Sequence, residues 1–168
     1  MRKADLLRAA IRKNNAWCRT NPENLQISIP ECLIVATGEM SASFEYRYTL
    51  QVLLLDFPGD LDEITLPILA WARVHQPELI YNPDVRKDGI RMEADIINTD
   101  EMGNAIPPVA DIRFSIRATE AVIVNLDENG VPVITHRDEP DYSALLGLGA
   151  TAWDVVFEDM VSGDKVTP

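Results

Sequence analysis

The chain has 168 residues, 46% of them hydrophobic, and a formal net charge of −12. That length fits one domain with a real apolar core, because a chain of this size buries roughly two-thirds of its unfolded surface. No run of eighteen apolar residues exists, so a membrane-spanning helix is excluded, and so acidic a chain repels phosphate backbones, which argues against sequence-specific nucleic-acid binding.

The first predicted element is a helix over residues 3–18. Leu6, Leu7, Ala10, Ile11, Trp17 and Cys18 fall on one stripe, with Arg2, Arg8, Arg12 and Lys13 largely off it. The opening residues contain no uninterrupted apolar block and no small-residue cleavage site, so no secretory signal is expected. Residues 1–19 hold six of the fifteen cations against one acid, Asp5, giving +5; the remainder holds nine cations against twenty-six acids, giving −17. Such polarity permits head-to-tail contacts between copies through Arg8, Arg12 and Lys13. A solvated basic helix face explains the same residues.

TNPEN (20–24) breaks the helical period with turn chemistry. Residues 25–30 alternate as a strand, and CLIVA (32–36) is apolar throughout. The clearest strand is 44–57. Phe44, Tyr46, Tyr48, Leu50 and Val52 share one face, and Glu45, Arg47, Thr49 and Gln51 share the other. From Leu53 both faces turn apolar, which predicts cover on two sides by a helix or another subunit. After the PGD turn (58–60), Asp60 or Asp62 is placed to cap a helix running to about His75. Pro67 lies inside that helix and is expected to bend it. Residues 76–89 read as loop, 90–96 as a strand, 98–108 as loop, and 110–118 as a third clear strand. Val122–Leu126 and Val131–Thr135 flank Asp-Glu-Asn-Gly, a hairpin signal with Gly130 able to take positive φ.

These elements predict an α+β fold: a twisted, mostly antiparallel sheet with two helices packed on one face. The expected organisation is a core domain over residues 1–136 and an acidic C-terminal extension over 137–168. The extension carries seven acids against Arg137 and Lys165. It also carries Tyr142, Leu145, Leu146, Leu148, Trp153, Val155, Val156 and Phe157, more apolar surface than a solvated tail needs. Truncation after Thr135 is expected to leave a folded domain, and the extension reads as an interaction arm.

No group of residues assembles into an active site. His75 and His136 are far apart in sequence and lack ligand spacing; His75 on the helix stripe reads as a satisfied core histidine. Asp56, Asp60, Asp62 and Glu63 fit no EF-hand loop, and a helix N-terminus already explains acids there. GLGAT (147–151) does not follow a strand, and Trp153 stands where a third dinucleotide-motif glycine would be. Cys18 and Cys32 form no CxxC or Cys/His set, so reduced thiols in a cytoplasm are expected. The sequence therefore predicts no catalytic residue, no cofactor and no metal.

TNP (20–22), SFEYRYTL (43–50), DFPGD (56–60), the P-x-LAW-x-R-x-x-QP run from Pro67 to Pro77, and ADI (94–96) occur in an order and spacing that resemble the gpR tail-completion family of Peduovirus-like contractile-tailed phages, related to R-type pyocin-like tails. The resemblance spans about residues 20–98. It implies a tail-terminator-like α/β subunit that forms a six-fold ring, caps the tail tube and sheath at the head-proximal end, and offers a surface to a head connector or collar. It implies a structural role without enzymatic activity, and assembly in a bacterial host cytoplasm into a virion or phage-like particle. The polar sheet faces carry both signs: Glu45 with Arg47, Arg91 with Glu93 and Asp95, and Asp111 with Arg113 and Arg117. Such faces suit contacts between identical subunits, although cross-strand ion pairs on a solvated face account for them equally. The candidate interface residues are thus Arg8, Arg12, Lys13, Glu45, Arg47, Arg113, Arg117, Tyr142, Leu146, Trp153 and Phe157. The other reading is a small intracellular adaptor that docks its acidic C-terminal segment into a partner protein.

Overall fold

Asn15 divides the N-terminal amphipathic stretch into two helices, where the sequence predicts one. In the computed structural model, which describes residues 2–38, 41–100 and 102–140, α1 spans Arg2–Asn14 and α2 spans Ala16–Thr20. Asn15 leaves the helical region (φ −119°, ψ 117°), and its side-chain oxygen accepts the Cys18 N–H at 2.9 Å, so it caps α2. Its amide also donates to Glu63 Oε2 at 3.0 Å, tying the break to the next long helix. The buried stripe of α1 is Lys3, Ala4, Leu7, Ala10 and Ile11.

Among the described residues six strands follow: β1 (Leu25–Ser28), β2 (Cys32–Ala36), β3 (Phe44–Phe57), β4 (Ile90–Thr99), β5 (Ala105–Leu126) and β6 (Pro132–His136). All pair antiparallel in one sheet. The long strands β3 and β5 lie side by side at its centre, from Phe44 opposite Val122 to Phe57 opposite Ala110. β1 and β2 share the free side of β3, and β4 and β6 share the free side of β5. Period-two alternation sends Tyr48, Leu50, Val52 and Leu54 of β3 to one face, with Ala110, Ile112, Phe114 and Ile116 of β5 beside them, and all are buried. The fold is α+β, as the patterning predicts.

The longest helix, α3 (Asp62–His75), packs with α1 over that apolar face through Ile64, Ile68, Trp71 and Ala72. Trp71 is fully buried, and its indole N–H donates to the Lys3 carbonyl at 3.2 Å. Truncating such a side chain to alanine costs about 3–5 kcal/mol. Trp17 closes the layer by meeting Phe57 edge-on, ring centroids 5.3 Å apart.

Several expectations need correction. The N-cap of α3 is Leu61, with no side-chain cap; Asp60 contributes only its carbonyl, which accepts the Glu63 N–H at 3.1 Å. The expected loop 76–89 contains two short helices, α4 (Glu78–Tyr81) and α5 (Pro83–Arg86). Asn82 caps α5 through the Asp84 N–H, with Pro83 in the first turn, a start signal that the sequence carried. The 98–108 loop shrinks to the turn between Thr99 and Ala105, and β5 runs unbroken through the two predicted strands. Pro107 and Pro108 are tolerated there because β5 has no β3 partner before Ala110 and its register with β4 breaks between Val109 and Ala105. Leu53 and Leu55 are half-buried, and the Asn24 amide donates to the Leu55 carbonyl at 2.9 Å. The hairpin matches its signal: Leu126 pairs with Pro132, and Gly130 has φ +78°.

Candidate functional site

The sheet face turned away from α1 and α3 carries the charges that the alternation assigns to it. Thr49 lies opposite Arg117, Arg47 opposite Thr119, and Leu53 opposite Arg113. Arg113 in turn lies opposite Glu93. The side chains form local pairs: Arg47 with Glu45 at 2.8 Å, Arg113 with Glu93 at 3.7 Å, and Arg117 with Asp88 at 3.1 Å. All three arginines remain more than half exposed, so these pairs add little stability and leave their groups available to a partner. Arg47 and Arg117 also line one open concavity of about 410 Å³, together with Glu31 and Glu78. The structure thus brings Glu45, Arg47, Arg113 and Arg117 onto one surface.

The basic residues of α1 lie elsewhere. Because α1 packs on the apolar face, Arg8, Arg12 and Lys13 belong to the helix layer, on the opposite side of the sheet from that surface. Arg8 pairs with Asp5 at 3.4 Å, and the Lys13 carbonyl accepts from Arg19 at 3.2 Å. Arg12 and Lys13 occupy the last turn of α1, where cations complement the helix dipole. The molecule therefore has a cationic helix side and a mixed-charge sheet side. Tyr142, Leu146, Trp153 and Phe157 lie outside the described residues.

The sequence reading missed a buried polar cluster where the N-terminus, the sheet and the exit of the chain meet. Glu120, 3% exposed, accepts the Tyr48 hydroxyl at 2.6 Å and the Lys3 backbone N–H at 2.9 Å on Oε1. Its Oε2 otherwise lacks a hydrogen-bond partner and faces His136 Nδ1 at 3.2 Å, so a proton on that nitrogen satisfies it. The Lys3 ammonium donates to Gln76 Oε1 at 2.9 Å and pairs with Glu139 at 2.5 Å. Gln76 Oε1 also accepts the Thr119 N–H at 3.0 Å. Arg2 with Asp138 and the Arg137 N–H with the Ala121 carbonyl complete the clasp. Burial works against the Glu120 carboxylate, but donation from Tyr48 and Lys3 prevails and holds it below its ordinary range. Burial and the Glu120 contact raise the Tyr48 phenol. Burial and then the Lys3 charge push His75 down to about 4. Two signals were present: Lys3 falls on the buried stripe of α1, and Glu120 stands on the core register of β5 between Ala118 and Val122.

Burial and the nearby Glu63 charge push the Cys18 thiol up to about 11, which makes it a poor nucleophile at neutral pH. Among the described residues no group of three His, Cys, Asp or Glu is placed to hold a metal ion. Of the carboxylates near the α3 start, Glu63 accepts from Asn15; on β5, Asp111 accepts the Asp56 N–H at the bulge where Asp56 takes φ +55°. Among the described residues no helix is long and apolar enough to cross a membrane.

The model of the family P2 phage tail completion protein R (GpR) matches residues 1–140. The chain belongs to this family. The match reaches well beyond residues 20–98, where the sequence motifs are most apparent, and takes in every described helix and strand. Tail completion protein R of Escherichia phage P2 is 35% identical over 140 residues, covering 83% of this chain and 84% of the phage P2 protein. No solved structure matches the chain. Within this member of the GpR family, both charged surfaces and the buried polar cluster lie in the matched region, whereas 141–168 lies beyond it.

Proposed function

We propose that the protein completes a contractile phage or phage-like tail: a structural, non-enzymatic subunit that caps tube and sheath at the head-proximal end. The observation that carries this reading is the family match across residues 1–140, with 35% identity to a tail completion protein. The working form is a six-fold ring. Two features support self-association: a cationic helix side opposite a mixed-charge sheet side, and four described strands at the sheet edges. Complementary charges across such contacts set register and speed encounter more than they add affinity.

Residues 1–136 form the ring-building core in this account, and 137–168 form an acidic interaction arm. Its partners are further copies, the tail tube and sheath subunits, and a head-connector or collar protein. Assembly takes place in the bacterial host cytoplasm, and the product resides in the tail. A co-sedimentation assay with isolated tail tubes tests this. The expected result is saturation at about six copies per tube end, independent of tube length. Binding in proportion to tube length, or none, contradicts it.

A further inference from the structure

A groove of about 660 Å³ opens between α3, α4 and β4, apart from both charged surfaces. Leu69, Ile80, Met92 and Phe114 give it apolar walls, and Arg73 and Arg86 line it as well. Its volume lies in the range of true binding clefts. Met92, 43% exposed, stands on the sheet face that elsewhere forms the core, so the groove is core-type surface that the described residues leave open.

The 28 residues after Pro140 have matching chemistry. They carry Tyr142, Leu145, Leu146, Leu148, Trp153, Val155, Val156 and Phe157, with five acids against one cation. The route is short. Glu139 is held by Lys3, whose ammonium also holds Gln76, the residue that ends α3. The groove runs along Thr65, Leu69 and Arg73 of that same helix, a single face at four-residue spacing. Leu69 lies seven residues back from Gln76, about 10 Å of helix, within reach of a few extended residues at about 3.3 Å each. A tether this short gives an effective concentration on the order of millimolar, which favours the chain's own segment over a neighbour's.

We propose that this groove seats the chain's own C-terminal segment, residues 142–157, with apolar side chains inside and the segment's one acid, Asp154, with the flanking Asp141, Glu158 and Asp159, toward Arg73 and Arg86.

The test uses the full chain with Cys32→Ser to remove the exposed thiol, plus Met92→Cys and Leu146→Cys. Nitrogen-15-labelled and unlabelled copies are mixed, oxidised and mapped by mass spectrometry. The expected product is a disulfide between positions 92 and 146 in isotopically pure form. Adding Leu69→Glu is expected to lower its yield at least tenfold, with the circular dichroism spectrum unchanged. A control with Ile96→Cys in place of Met92→Cys, on the same strand but outside the groove, is expected to cross-link at least tenfold less. Isotopically mixed cross-links overturn the proposal in favour of a neighbouring copy's segment. No cross-link, or equal yields at positions 92 and 96, shows that the segment does not occupy the groove.

Discussion

Replacing Glu120 with leucine tests whether the polar cluster at the chain's exit holds the fold together. The carboxylate is 3% exposed and accepts the Tyr48 hydroxyl and the Lys3 N–H. Leucine removes the oxygen that accepts both but leaves the two donors buried, and each orphaned donor costs about 1–3 kcal/mol. Relief from burying a charge offsets part of this, so the net loss is about 3 kcal/mol. Swapping a whole buried ionic group for apolar residues is often harmless, but removing one partner is not. With a urea slope of about 2 kcal/mol per molar, the midpoint of unfolding falls by about 1.5 M. Tryptophan fluorescence follows it well, because Trp71 is fully buried beside the cluster. Tyr48→Phe, which removes one donor with its bond, is expected to cost only about 1 kcal/mol. A Glu120→Leu protein that loses less than about 1 kcal/mol would refute the argument, since the clasp would then be incidental to stability.

Three further predictions follow from the same structure. Reversing Arg8, Arg12 and Lys13 together to glutamate is expected to abolish binding to tube ends while leaving the thermal melt within a few degrees; normal binding would make the basic side of α1 a solvated face. Stability is expected to fall as pH drops from 6.5 to about 4. The unfolded chain takes up a proton at His75 below its ordinary 6.5 while the folded chain resists until about 4, and Glu120, held below 4.5, adds to the loss at the acid end. Equal urea midpoints at pH 7.5 and 4 would contradict this. Truncation after Pro140, which keeps the Lys3–Glu139 pair, is expected to leave a folded protein that fails to complete tails; an unfolded product would place the segment in the core.

The strand pattern was legible because period-two alternation survives in β3 and β5: the face holding Tyr48, Leu50 and Val52 is buried, and the face holding Arg47 and Arg117 is exposed. Boundaries were less legible where one polar side chain decides them. Asn15 sits within a continuous apolar period, and only its bond to the Cys18 N–H reveals the helix break. The cluster around Glu120 was hidden because its members, from Lys3 to Glu139, come from distant parts of the chain. Alternation shows that Glu45, Arg47, Arg113 and Arg117 share a face, yet says nothing of what meets it. The separation of Arg8, Arg12 and Lys13 from that face follows from the packing of α1, which periodicity does not encode.

Electron microscopy of tails assembled with and without this protein tests the central claim most directly. With it, tails of uniform length are expected to carry a six-fold ring at the head-proximal end; without it, tubes are expected to run to irregular lengths, bare at that end. Tails of normal length that join heads in its absence would contradict the account.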